Sequence, residues 1–236
     1  MKDVANNYSL SEIKKAAAEC SAFSVEPSFD IEKQLLVCGH DVIAGVDEAG
    51  RGALAGPLCV GLVIYDRSCI LSSSGMPGIN DSKKLSVKKR TAALGIIAGR
   101  CLTAFSVLVS HRTIDRININ RATELALVRL LERIPIRPDV VLLDGNFSFK
   151  VSVPVLSIPQ GDTKSVSIAS ASIVAKVQRD MILDKLDARY PEYGFKTNKG
   201  YGTRRHIQAI YDIGFSPLHR KSYEPVKSLI SGGRIS

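Results

Sequence analysis

Short apolar runs and longer amphipathic stretches alternate along most of the chain, and their lengths separate strands from helices. Val42 to Val46 (VIAGV), Leu58 to Tyr65 (LCVGLVIY) and Thr103 to Ser110 (TAFSVLVS) are short and β-branched enough to predict strands, the first ending on Asp47. Val140 to Leu143 (VVLL) predicts a fourth strand that ends on Asp144. Val153 to Ile158 contains Pro154, so it predicts an edge strand, because proline cannot donate to a central ladder. Helical spacing appears in Ser86 to Arg100, where Val87, Ala93, Leu94, Ile97 and Ala98 share the stretch with basic Lys88, Lys89 and Arg90. It is clearer in Asn120 to Ile134, which Pro135 stops. Ser165 to Leu186 predicts a long helix with Val166, Ala169, Ile173, Val177 and Met181 on one face, its first turns rich in Ser and Ala.

This order of elements predicts a mixed α/β sheet with helices packed against it and a helical C-terminal region. Residues 41–236 form the body. Residues 1–40 read as a polar, partly helical extension, with Ser9 or Ser11 capping a helix through Ile13, Ala16 and Ala17. Glu26 to Phe29 breaks that helix, and Ile31 to Leu36 resumes a short turn. No internal repeat or low-complexity tract is present, and the tail from Gly232 to Ser236 reads as frayed.

Composition narrows the class. With 45% hydrophobic and 23% charged residues in 236, the chain reads as a water-soluble globular protein, expected to be cytoplasmic and monomeric, without a signal sequence or membrane span. Five widely spaced cysteines with no C-x-x-C pair suggest neither a zinc site nor a disulfide framework. Lys plus Arg (32) exceeds Asp plus Glu (23), and the resulting net charge of +9 favours a polyanionic partner.

Against that basic background, carboxylates stand at the ends of predicted strands: Asp47-Glu48 after Val46, and Asp144 after Leu143. Asp162 stands at the turn that feeds the Ser/Ala-rich helix. Asp144-Gly145 also fits an ordinary turn and Asp162 an ordinary helix cap. The adjacent acids Asp47 and Glu48, however, repel one another and call for a cation. Four hard oxygen donors suit Mg²⁺ or Mn²⁺ acting on a phosphate, in a two-metal arrangement with ions about 4 Å apart. None of the four histidines has a zinc-ligand spacing. Gly50-Arg51-Gly52, beside the first acids, is a sequence in which backbone can approach a sugar or phosphate, or can simply turn into the next strand.

Ala44 to Gly52 (AGVDEAGRG) followed by Leu54 to Pro57 (LAGP) resembles the signature of bacterial ribonuclease HII. Further blocks agree in order: Ile79 to Ser86, Leu143 to Gly145, Gly161 to Ser165, Ala171 to Val177, Tyr190-Pro191 and Lys199 to Thr203. The resemblance runs from about Ile43 to Val226. It departs at Asn198, Gln160 and Ser170, where histidine, lysine and alanine are usual. The sister family, ribonuclease HIII, carries Ser and Lys in place of Ala49 and Arg51, and a large N-terminal substrate-binding domain that residues 1–40 are too few to supply.

The resemblance implies a ribonuclease H-like fold, a central five-stranded mixed sheet flanked by helices. It implies a metal-dependent endonuclease, using Mn²⁺ or Mg²⁺, that cuts RNA paired with DNA. It also implies incision 5′ of a single ribonucleotide in duplex DNA, leaving 3′-hydroxyl and 5′-phosphate ends. Its four acids fall on Asp47, Glu48, Asp144 and Asp162, with Asp180 a rival for the last place. Gly50, Arg51 and Gly52 would read the ribose 2′-hydroxyl, Tyr201 would stack on the following sugar, and Asn80, Ser82 and Lys83 would contact phosphates. The partners implied are RNA–DNA hybrids and ribonucleotide-containing duplex DNA. Two rival readings are a related nuclease acting on DNA alone and a non-catalytic nucleic-acid-binding module.

Overall fold

The computed structural model describes residues 26–73 and 75–232. The helix expected after Ser9 or Ser11 and the tail beyond Gly232 lie outside the described residues. Five strands, β1 (Ile43–Ala49), β2 (Leu58–Tyr65), β3 (Cys101–Val109), β4 (Val140–Asp144) and β5 (Val155–Ile158), form one sheet in the order β3-β2-β1-β4-β5. The β3-β2-β1 half is antiparallel, and β1, β4 and β5 run parallel, so the sheet is mixed as the pattern predicts. β5 lies at an edge, where the preceding Pro154 costs no ladder bond.

Nine α-helices are described: α1 (Asp30–Val37), α2 (Arg67–Ser72), α3 (Val87–Ala98), α4 (His111–Ile117), α5 (Ile119–Arg133), α6 (Val166–Asp187), α7 (Phe195–Asn198), α8 (Arg204–Ile213) and α9 (Val226–Ile230). Hydroxyl caps start several of them: Ser86 accepts from the Lys89 N–H, Ser110 from Thr113, Ser165 from Ile168 and Thr203 from His206. α1 is two turns rather than a short turn. Its Ile31, Leu35 and Leu36 join Phe29, Ile43 and Tyr65 in the core on one face of the sheet. The opposite face is covered by α4 and α5, whose Ile114, Ala122, Ala126, Leu127 and Leu130 pack with Ala44, Val46 and Leu143. A third cluster, built on Leu54, Tyr193, Phe195, Ile210 and Val226, joins the C-terminal helices to the body.

Two further expectations are corrected. β1 does not stop at Asp47 but continues through Glu48 to Ala49. Antiparallel pairing with β2 persists to Ala49 opposite Cys59, whereas the parallel pairing with β4 is last seen at Val46 opposite Leu143. The second concerns α6, which has no single apolar stripe: it is buried all round from Val166 to Ala175, and Met181 is half exposed. Small residues there serve close approach. A Cβ on Gly45 of β1 would lie 2.1 Å from the Ser167 carbonyl carbon, and one on Gly61 of β2 would lie 2.3 Å from the Ala171 carbonyl oxygen.

Candidate active site

Pleating determines which acids meet. Side chains alternate across a strand, so Asp47 shares the α6 face of β1 with Ile43 and Gly45, while Glu48 projects toward the α5 face with Ala44 and Val46. Asp144 follows Val140 and Leu142 onto the same face as Asp47. Asp162 arrives from the edge: Gln160 takes a left-handed conformation (φ 56°) after β5, and a single 3₁₀ turn, Gly161–Thr163, aims the carboxylate inward. Asp47, Asp144 and Asp162 each place a carboxylate oxygen within 4.8 Å of the others. Glu48 stands just outside that mutual cluster, on the far side of the pleat.

Backbone N–H groups hold two of these acids. The Gly161 N–H donates to Asp144 Oδ1 at 2.6 Å, and a Cβ on Gly161 would lie 2.5 Å from Ile168 Cδ1 and 3.4 Å from that carboxylate oxygen. The Glu48 N–H donates to Asp47 Oδ1 at 2.7 Å, and the neighbouring Ser172 side chain favours the ionised form of Asp47. Ser82 Oγ lies 2.9 Å from Ser172 Oγ.

Electrostatically the cluster is short of positive charge. Burial, then Glu48 and Asp144, raise the Asp47 carboxyl well above its ordinary range. Burial, and then Asp162, raise Asp144. Burial is also the main cause that lifts Glu48 to about 7, with Asp144 adding to it and Arg51 and Lys83 opposing. Lys83 Nζ lies 3.2 Å from Asp162 Oδ2 on a largely exposed side chain. Burial pulls the lysine down, but Asp162 more than offsets this and holds it charged. Glu48 Oε2 is buried with no hydrogen-bond partner. Three crowded hard oxygen donors, an orphaned carboxylate oxygen and one exposed lysine as counter-charge fit a divalent cation such as Mg²⁺ or Mn²⁺.

The remaining candidate residues surround this centre. Gly50 has φ +89°, and a Cβ there would meet Arg179 Nε at 1.9 Å; at Gly52, by contrast, a Cβ would meet nothing within 4 Å. The Arg51 side chain leans toward α5: it donates to Thr123 Oγ1 at 3.0 Å and to Asn120 Oδ1, and its guanidinium lies 4.6 Å from the Phe147 ring centroid. Tyr201 is 37% exposed and accepts a hydrogen bond from the Gly50 N–H at 3.2 Å, which puts its ring beside the glycine-rich turn rather than in the core. Asn80 is half-buried, with Oδ1 accepting from the Asp81 N–H. Ser82 is 3% exposed and turned inward to Ser172, whereas Lys83 reaches outward. Asp180 is not in the cluster; it pairs with Lys176 at 2.6 Å and Arg90 at 3.5 Å.

Sequence reasoning missed Ser172, Arg179 and Arg220. Ser172 carried a signal, the unusual density of serine in a helix that must be buried. The arginines carried none, since nothing local distinguishes a buried arginine from a solvated one. Asn198, one of the departures, shapes the neighbouring turn: its amide donates to the Tyr193 carbonyl at 2.6 Å and accepts from the Gly200 N–H at 2.7 Å.

Acids at the ends of the two central parallel strands of such a sheet, with a glycine-rich turn and a lysine beside them, define a hydrolytic nuclease of the ribonuclease H-like fold. Comparison with known proteins agrees. Residues 44–226 match the family model described as ribonuclease HII. A ribonuclease HII of Caldicellulosiruptor saccharolyticus is 44% identical over 198 residues, covering 84% of this chain and 94% of that protein. One from Chlamydia pneumoniae is 41% identical over 225 residues, 94% of this chain and 98% of its own. The crystal structure of ribonuclease H2 from Pyrococcus horikoshii superposes with a TM-score of 0.66 at 25% identity, covering 81% of this chain and 98% of that one. The chain belongs to the ribonuclease HII family and is an endoribonuclease. No helix among the described residues is long and apolar enough to cross a membrane.

Proposed function

We propose that this endonuclease hydrolyses the RNA strand of RNA–DNA hybrids and incises duplex DNA 5′ of a single embedded ribonucleotide. The observation that carries the reading is the convergence of Asp47, Asp144 and Asp162 within 4.8 Å beside a turn that leaves open space at Gly52. Asp47 and Asp144 would hold divalent metal at the centre, with Glu48 and Asp162 each completing one side. When bound there, Mg²⁺ or Mn²⁺ supplies positive charge against the phosphate oxygens and a water of lowered pKa.

The chain's own groups do the rest. The Glu48 N–H holds the Asp47 carboxylate in one orientation, and the Gly161 N–H does the same for Asp144. Lys83 offers an exposed ammonium to a phosphate beside the acids. The open face at Gly52 admits a ribose close to backbone, and Tyr201 presents its ring to the next sugar. The attacking water oxygen forms a bond to phosphorus as the in-line P–O3′ bond breaks. The leaving 3′-oxygen takes up a proton, which yields 3′-hydroxyl and 5′-phosphate ends.

Incision mapping on a labelled duplex with one ribonucleotide, beside a matched all-DNA duplex, tests this. One cut 5′ of the ribonucleotide with Mn²⁺, none with EDTA and none in the all-DNA duplex is expected. Asp47→Asn and Asp144→Asn should each abolish cleavage while duplex binding survives. Cutting of the all-DNA duplex, or near wild-type rates in either variant, refutes the assignment.

A further inference from the structure

Among the described residues two arginines, Arg179 and Arg220, are fully buried, and neither forms an ion pair there. Both are held by backbone carbonyls, and the carbonyls belong to the turns beside the acids. Arg220 Nη2 donates to the Gly50 carbonyl and Nη1 to the Arg51 carbonyl, each at 2.7 Å, while Nε and Nη2 reach the Gly56 carbonyl at 3.2 Å. The Tyr223 hydroxyl adds a second bond to the Arg51 carbonyl at 2.9 Å. Arg179 bonds the carbonyls of Pro57, Lys199 and Ala55 at 2.9, 2.7 and 3.1 Å, and its guanidinium lies 5.4 Å from the Tyr201 ring centroid.

Burying a guanidinium without a carboxylate is costly, so a fork spent on loop carbonyls points to a demand on those loops. The demand follows from peptide geometry. A trans peptide points its C=O and the next N–H in opposite directions. With the Gly50 and Arg51 carbonyls drawn inward to Arg220, the N–H groups of Arg51 and Gly52 are turned the other way, toward the open space beside Gly52.

The adjacent residue acts on the other half of the site. The Ser216 N–H donates to His219 Nδ1 at 3.0 Å, which places the His219 proton on Nε2. That proton faces His206 Nε2 at 3.0 Å, so His206 carries its own on Nδ1 and donates it to the Tyr201 carbonyl at 2.8 Å. His219 and Arg220 thus fix, from one short stretch, the backbone of both Tyr201 and Gly50-Arg51.

We propose that Arg220, with His219 beside it, is a positioning residue for substrate reading: it sets the carbonyls of Gly50 and Arg51 inward so that two consecutive N–H groups face a ribonucleotide, in register with Tyr201. This rests on the reading of that turn as the substrate-contacting one, and the experiment separates the two. Steady-state cleavage of the single-ribonucleotide duplex with Mn²⁺ is compared for wild type, Arg220→Lys, Tyr223→Phe and Gly52→Ala, alongside the thermal midpoint and the Mn²⁺ activation midpoint of each.

Arg220→Lys keeps the charge and loses the fork. It should raise KM about tenfold, with kcat and the Mn²⁺ midpoint within about threefold of wild type. Tyr223→Phe, which loses one bond to the Arg51 carbonyl, should raise KM about threefold in the same pattern. The proposal is overturned if KM is unchanged in both, or if the loss falls on kcat and tracks the fraction unfolded. Should Arg220→Lys fail to fold, Tyr223→Phe decides alone, and an unchanged KM there overturns it. Gly52→Ala adds a methyl that meets no protein atom, so its KM should rise only if substrate contacts the turn. An unchanged KM in Gly52→Ala refutes the substrate reading of the turn; a raised one with normal Arg220→Lys and Tyr223→Phe kinetics refutes the positioning role alone.

Discussion

Without metal, Glu48 should be a liability to the fold, and replacing it should stabilise the protein while damaging the enzyme. Its carboxyl is raised from 4.5 to about 7, chiefly by burial. Between those values the folded state keeps a proton that the unfolded state has released, so stability falls as pH rises through this window and stays low above it. A displacement of that size is worth at most about 3 kcal/mol. Glu48 is half-buried, and water reaching it leaves about 1–2 kcal/mol, some of it felt through Asp47, whose own rise Glu48 augments. Glu48→Gln in EDTA at pH 8 should therefore melt about 3–6 °C above wild type, a difference that vanishes below pH 4.5. Saturating Mn²⁺ should reverse the order, because a ligand at 100 times its Kd adds about 2.7 kcal/mol and the variant binds it less well. Differential scanning calorimetry with and without metal reads both effects. A variant that melts at or below wild type in EDTA at pH 8 refutes the electrostatic account, and a missing reversal removes Glu48 from the residues that hold the ion.

Two further outcomes test the fold around the site. Gly45→Ala should cost about 3 kcal/mol in urea unfolding, since its Cβ would press 2.1 Å from the backbone of α6 and that backbone cannot turn aside; a loss below about 1 kcal/mol would mean the helix moves freely on the sheet. His219 is buried and its pKa is lowered to about 4, first by desolvation and then by His206, so its contribution is complete above about pH 6.5 and is lost as pH falls toward 4. The loss is up to about 3 kcal/mol. His219→Gln should flatten that decline relative to wild type, and parallel slopes for the two proteins would contradict it.

Most of the sheet and the helices on it are legible in the sequence because periodicity is a local property. Leu58–Tyr65 is a strand buried on both faces and reads as an unbroken apolar run, and α5 shows its stripe and its Pro135 stop. α6 is the exception: its packing partner is backbone, at Gly45 and Gly61, so small residues replaced the stripe that amphipathicity would show. The extension of β1 through Asp47 to Ala49 was equally hidden, since polar residues at a strand end look like a loop until the partner strand is known.

What the chain carries by itself is the set of candidate groups, four acids, a glycine-flanked arginine and a lysine, in ordered blocks matching one family, on a basic body. What only the tertiary structure decided is which of them meet. The pleat puts Asp47 and Asp144 on one face and turns Glu48 to the other, a left-handed residue at 160 swings Asp162 in, and Asp180 is drawn away by Lys176 and Arg90. The grip of Arg220 on Gly50 and Arg51, 170 and 169 positions away, follows from the same cause. Hydrogen bonds and charge act through space, and residues so far apart in sequence become partners only after the core has folded them together.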